Sequence, residues 1–335
     1  MLEIAKSKSY ASPPRHQLPL SKQRIRPECH HKCHAQYDFT RSTRDNYGVD
    51  AAAGKSYGRF RAIRDMLDKE YHGVYIRARQ QLQDDLICQV VDPHKVSQKS
   101  PWIVFTAGAM GAGKSRTINW MAERGIFPLK DIVQLDADIF KTALPEWQGY
   151  VAHDATSAGT LTRYESGYLV EIAEEVALRL GKHIWVDGSL RDGDWYEKHF
   201  KRIRARYPEY EIAILYVTAD EQLILERAHK RGRETGRIVP EAEIRDSLRR
   251  VPEAVDRLTP FANFVAEIDN SGPTPSLVRY VDSDGSTFRT KDQWQEIQRR
   301  FQSVRASPYT WKKRMLRLFL GPEFVNGGCA GRAAA

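Results

Sequence analysis

Trp102-Ile103-Val104-Phe105-Thr106-Ala107 runs directly into Gly108-Ala109-Met110-Gly111-Ala112-Gly113-Lys114-Ser115. The first six residues are almost continuously apolar, as a strand covered on both faces should be. The next eight fit the spacing G-x-x-x-x-G-K-[ST] and lead into a helical stretch. Glycines let such a loop curl until successive backbone N–H groups point inward at phosphate oxygens, and the helix that follows adds its positive end. Glycine averages about 7% of residues, so a chance match in a chain this long has odds on the order of 1%, and the strand and helix flanks lower them further. Lys114 is expected to reach the β- and γ-phosphates of ATP, Ser115 to offer its hydroxyl to Mg²⁺, and Thr117 to add a nucleotide contact.

Outward from this loop the chain alternates apolar runs with helical stretches. Runs at 102–107, 132–135, 183–186, 212–217 and 264–268 predict an α/β fold with a parallel sheet of about five strands flanked by helices, the P-loop kinase type. Upstream, the spacing of Phe60, Ile63, Met66 and Leu67, then Tyr75, Leu82, Leu86 and Val90, predicts two helices packed on that core. The sequence therefore divides into a disordered basic tail (1–55), a helical lead-in (56–100), the nucleotide-binding core (101–270), a small extension of a hairpin around Asp284 and Gly285 plus helices (271–320), and a loose end (321–335).

The formal charge of +9 suggests nucleic acid until it is located. Residues 1–36 hold seven Lys/Arg against two Asp/Glu, and residues 305–335 six against one, so each tail carries +5 and the rest −1. Nucleic acid is thus not expected on the core, although the tails leave it open. The stretch 311–320 is basic and amphipathic, which suits a docked helix with a solvated basic face or a membrane-surface contact. No run approaches the roughly 20 apolar residues that span a bilayer, and the N-terminus lacks a secretory apolar segment, so a cytoplasmic protein is expected, with an organellar transit peptide as the alternative. Cys29, Cys33, Cys88 and Cys329 are too scattered for a disulfide framework. Cys29, His30, His31, Cys33 and His34 lack the second ligand pair of a structural zinc site.

Binding ATP does not by itself make a kinase; an acceptor-side base, a metal environment and positive charge for the migrating group are also needed. The second apolar run ends in Asp136-Ala137-Asp138, two carboxylates at the edge where open α/β sheets bind ligands. Asp138 is the candidate general base, with helix capping as its plainer role. The third run ends in Asp187-Gly188-Ser189-Leu190-Arg191, and Asp187, with Asp136, is a candidate for holding Mg²⁺. In the helix around 162–180, Glu165 shares the apolar stripe of Leu169, Ile172, Ala173, Val176 and Leu180. It suits either a substrate contact or a capping box with Thr162. Arg227, Arg231, Arg233 and Arg237 lie in a segment punctuated by Gly232 and Gly236, the composition of a lid that brings arginine to a γ-phosphate.

Taken together these stations resemble the zeta-toxin family of P-loop small-molecule kinases, whose best known members phosphorylate UDP-N-acetylglucosamine. The likeness spans about 102–270. It rests on the loop at 108–115, Asp136 and Asp138 with Phe140, the Glu-bearing helix, Asp187-Gly188-Ser189 with Arg191, Arg227, and Gly236-Arg237 with Pro240. The resemblance implies that Lys114 binds phosphate, Asp138 is the base, Arg227 and Arg237 grip the transferring group, and Ser189 and Arg191 face the substrate. The acceptor-side glutamate is either Glu165 or Glu171. Where the family often has Glu-Gly-Thr, this chain has Asp187-Gly188-Ser189, so reaction type carries over better than substrate. The expected activity is transfer of the ATP γ-phosphate to a hydroxyl of a small metabolite, a nucleotide sugar among the possibilities. The alternatives are a polynucleotide 5′-hydroxyl kinase and a non-catalytic, nucleotide-gated adaptor.

Overall fold

Valine, isoleucine and aromatic residues concentrate in the five apolar runs, and residues that pack well on a pleated surface form strands when both faces are covered. The computed structural model describes residues 37–50, 54–94, 100–127, 131–235, 239–283, 287–288 and 294–302. The lead-in comprises α1 (Thr43–Tyr47), β1 (Gly48–Val49), α2 (Arg61–Arg64), α3 (Lys69–His72), β2 (Val74–Tyr75) and α4 (Arg77–Val91). The core follows as β3 (Trp102–Ala107), α5 (Lys114–Glu123), β4 (Ile132–Leu135), α6 (Ala137–Ala143), α7 (Trp147–Asp154), α8 (Ala158–Leu161), α9 (Arg163–Leu180) and β5 (His183–Asp187). It continues through α10 (Gly193–Arg206), β6 (Glu211–Thr218), α11 (Glu221–Thr235), α12 (Glu241–Leu258) and β7 (Phe264–Asp269), and β8 (Ser276–Asp282), β9 (Thr287–Phe288) and α13 (Trp294–Gln302) complete it.

The main sheet has the order β4-β5-β3-β6-β7-β8-β9. Its first five strands are parallel, at the five predicted positions, and β8 and β9 are antiparallel additions. Each parallel crossover needs a helix, so both faces are covered. One face carries Phe105, Ile214, Leu169 and Val176, the other Val104, Trp185, Ile118 and Met121, all fully buried. In this topology the C-terminal ends of β3, β4 and β5 share one edge, which places Gly108, Asp136 and Asp187 side by side.

The disordered tail expected over 1–55 is corrected for residues 37–50, while residues 1–36 lie outside the described residues. From Tyr37 onward the chain is built into the fold: the Tyr37 and Tyr150 hydroxyls lie 2.7 Å apart, and the Phe39 ring stands edge-on to Tyr150 at 5.4 Å. A period-based reading misses it because three aromatics, Tyr37, Phe39 and Tyr47, anchor the strap through tertiary contacts rather than through a repeating face. β8 and β9 pair antiparallel and extend the main sheet, while Asp284 and Gly285, around which the hairpin was expected, lie outside the described residues. The cysteine–histidine cluster at 29–34 and the basic stretch 311–320 lie outside the described residues.

Candidate functional site

The loop after β3 turns on glycine. Gly111 has φ +95°, and a Cβ there would stand 2.3 Å from the Ile224 carbonyl oxygen, so no larger residue fits without moving α11. Gly108 donates its N–H to the Ser189 carbonyl at 3.2 Å, which ties the loop to the segment after β5. Leu190 supports that tie. It is buried and is the one non-glycine residue with positive φ (56°) among the described residues, a strain of order 1–3 kcal/mol that the surrounding packing has to hold.

A cleft of about 620 Å³ opens over this edge, a volume that suits a nucleotide-sized ligand. Met110, Gly111, Gly113, Lys114 and Ser115 line one side of it, while Gly108, Ala109 and Ala112 form the loop behind them. Lys114 Nζ donates to the Gly108 and Ala109 carbonyls at 2.9 and 3.3 Å, so the ammonium caps the loop it would share with phosphate. Burial pushes its pKa below the ordinary lysine value, against the pull of Asp187, Asp136 and Asp138. Thr117 is fully buried and does not line the cleft, which moves it from the nucleotide contacts to the packing beneath them.

The carboxylates meet the loop here. Asp187 accepts from Ser115 Oγ at 3.3 Å and from Thr106 Oγ1 at 2.9 Å. Asp136 is the N-cap of α6, its Oδ1 accepting from the Asp138 N–H at 2.8 Å. The capping role weighed for Asp138 therefore belongs to Asp136, and Asp138 lies in the first helical turn. Both still line the cleft, although a helix start rather than a continuing strand presents them. Ser115, Asp187 and Asp136 all line the cleft, and their hydroxyl and carboxylate oxygens are the donor type that would suit Mg²⁺ beside phosphate.

Two cations flank Asp138: Arg231, from the arginine-bearing segment already noted, and Lys141, which the sequence had not singled out. Lys141 Nζ lies 3.2 Å from Oδ1 and Arg231 Nη2 3.8 Å from Oδ2. Helical spacing carried the signal for both, since Lys141 is three residues after Asp138 and Arg231 four after Arg227. Arg227 lines the cleft and donates to the Asn270 carbonyl at 3.0 Å, and burial lowers its pKa. Arg237 lies outside the described residues. Ser189 and Arg191 also line the cleft, with the Arg191 N–H donating to Ser189 Oγ at 3.3 Å.

The two glutamates weighed for the acceptor side are elsewhere. Glu165 is fully buried, accepting from Arg79 Nε at 2.7 Å and from Gln83 Nε2 at 2.8 Å. Burial alone would raise its pKa, but the Arg79 guanidinium beside it holds the carboxyl below the usual range. The capping box fails too, because Thr162 makes no side-chain cap and its Oγ1 donates back to the Ala158 carbonyl. Glu171 pairs with His72 Nε2 at 3.2 Å and does not line the cleft. An apolar stripe pointed Glu165 inward correctly, but its partner is 86 residues upstream, beyond any local pattern.

The described residues contain no helix long and apolar enough to cross a membrane. No curated protein sequence matches the chain significantly. Among solved structures, a chain of the PezAT chromosomal toxin–antitoxin system of Streptococcus pneumoniae is similar with TM-score 0.52 at 16% identity, covering 75% of this chain and 98% of that one. The AvrRxo1-ORF1:-ORF2 complex gives TM-score 0.54 at 17% identity over 77% and 82% of the two chains. The same complex with ATP gives 0.51 at 15% over 76% and 81%. These likenesses are of fold. The model of the Zeta toxin family matches residues 89–272, more than half of the sequence, and with the loop, the carboxylates and the parallel sheet in register the chain belongs to the Zeta toxin family of nucleotide-dependent kinases.

Proposed function

We propose that this protein transfers the γ-phosphate of ATP to a hydroxyl group of a small metabolite. One observation carries the reading: the phosphate-loop lysine Lys114 and the Asp138 carboxylate line the same cleft. The ATP bound by the AvrRxo1 complex supports the choice of nucleotide.

In this reading Lys114 exchanges the Gly108 and Ala109 carbonyls for phosphate oxygens, and Arg227 approaches the same group from α11. Mg²⁺, held by Ser115 and Asp187 with Asp136 nearby, supplies charge neutralisation at the phosphates when bound. Ser189 and Arg191 orient the acceptor. Asp138 takes the acceptor's proton as that oxygen bonds to the γ-phosphorus and the bridging oxygen leaves with ADP, so atoms and charge balance. Lys141 and Arg231 flank the Asp138 carboxylate and hold its orientation toward the cleft.

Nucleotide sugars such as UDP-N-acetylglucosamine are the first acceptors to try, on the family resemblance. Incubation of the protein with γ-labelled ATP and a fractionated metabolite extract should place label in a hydroxyl-bearing compound. Label found only in inorganic phosphate, whatever the extract, would overturn the proposal.

A further inference from the structure

Asn270 follows the last residue of β7 and is completely buried, yet it carries a role that neither its burial nor its position in the sequence announces. Its N–H donates to the Thr218 carbonyl at 2.8 Å, which pins the backbone to the end of β6. Its Nδ2 donates to the Ala112 carbonyl at 2.8 Å, inside the phosphate loop. Its own carbonyl accepts from Arg227 Nη2 at 3.0 Å, and Arg227 Nη1 and Asn270 Oδ1 are buried with no hydrogen-bond partner among the described residues. A Cβ on Gly113 would lie 2.1 Å from Asn270 Nδ2 and 3.9 Å from Arg227 Nη1. The amide therefore fills the place a side chain at 113 would take. Gly113 itself is the left-handed N-cap of α5; the loop's own bonds, Ala112 N–H to the Ala109 carbonyl and Thr117 N–H to the Gly113 carbonyl, flank the 112–113 peptide, and the Ala112 carbonyl is held by the Asn270 amide.

We infer that Asn270 is a positioning residue of the transfer site, joining the phosphate loop and Arg227 into one rigid unit. Its side-chain amide holds the Ala112 carbonyl outward, which turns the following N–H groups toward the cleft. Its main-chain carbonyl holds the guanidinium against the same loop, with Nη1 left to take a phosphate oxygen. The inference rests on the proposed ATP-dependent transfer and deepens it. The chemistry requires a donor: a carboxylate of the same shape would set oxygen against the Ala112 carbonyl oxygen, whereas a longer amide has no room beside Gly113.

The test uses the full chain with Mg·ATP, reading KM for ATP and kcat of ADP release, with a fluorescent ATP analogue to count binding sites. Asn270→Asp is expected to raise KM and lower kcat by about tenfold each, the worth of a buried donor lost against an acceptor. Asn270→Ser, which keeps a shorter donor, should fall between it and wild type, and it supplies the measurement if the aspartate variant does not fold. In an Arg227→Ala background the kcat effect of the Asn270 change should disappear while the KM effect remains. Wild-type KM and kcat in Asn270→Asp would overturn the inference. So would kcat losses that multiply independently of Arg227, or fewer active sites at unchanged KM, which marks a purely structural role. If the wild-type chain neither binds the analogue nor releases ADP, the kinase proposal fails and the inference with it; normal wild-type behaviour with an indifferent Asn270→Asp sinks the inference alone.

Discussion

Arg79 is the residue on which the folded chain depends most visibly. It is buried between two glutamates, its Nη1 and Nη2 donating to Glu146 at 3.0 Å each and its Nε and Nη2 to Glu165 at 2.7 and 2.9 Å. Removing one member of such a set leaves uncompensated buried charge, so Arg79→Met should cost about 3–5 kcal/mol of unfolding free energy at neutral pH. The pH dependence has a definite sign. Glu165 sits below its ordinary value of 4.5, so in the wild type its contribution is present above that value and is lost as pH falls through the lowered one. Without Arg79, burial raises the Glu165 pKa instead, and acid neutralises the stranded carboxyl. The stability gap between variant and wild type, measured by denaturant unfolding, should narrow as pH drops from 7 toward 5. Lys114 gives the opposite dependence in binding. Its lowered pKa means that the free protein loses the ammonium charge at a pH below the usual lysine range, so ATP affinity should decline on the alkaline side, and proton uptake should accompany binding there. Calorimetry in buffers of different ionisation enthalpy reads both. At this scale the placement of the loop, Asp136, Asp138, Asp187, Ser189, Arg191 and Arg227 on one cleft was legible because each sits on a motif or at a strand end. Asn270, Lys141 and the fate of Glu165 were not, since their partners are set by the fold.

Among elements, the phosphate loop is the least tolerant. Gly111→Ala would drive a methyl group into the Ile224 carbonyl of α11, and it should abolish nucleotide binding or lower affinity at least 100-fold, as titration with a fluorescent ATP analogue would record. The strands were readable because a strand covered on both faces announces itself as an apolar run. The short lead-in helices were less so: two were expected, and the chain forms α2, α3 and α4 with a two-residue strand between the last two. Residues such as Phe60 and Ile63, both buried, satisfy a helical spacing over a single turn as well as over a longer helix. At the other end α13 buries Phe301 against Trp102, Phe127 and Phe264. Phe301→Ala should cost about 3–5 kcal/mol by opening a cavity there, seen as a lowered Tm with nucleotide affinity intact.

For the molecule as a whole, the family match begins at residue 89, but the fold does not. The strap from Tyr37 and helix α4 supply Tyr47 and Arg79 to carboxylates of the core, with Tyr47 donating to Glu146. A fragment starting at residue 89 would strand both Glu146 and Glu165 in the interior and should be insoluble or unfolded, whereas one starting at residue 37 should fold. The cleft gathers Lys114, Lys141, Arg191, Arg227 and Arg231 on one edge of the sheet. Asp138→Asn tests the central claim most directly. It removes the proton acceptor while leaving the phosphate loop in place. The variant should bind Mg·ATP with wild-type affinity and lose acceptor-dependent ADP release by about 10²- to 10⁴-fold, whereas turnover at the wild-type rate would contradict it.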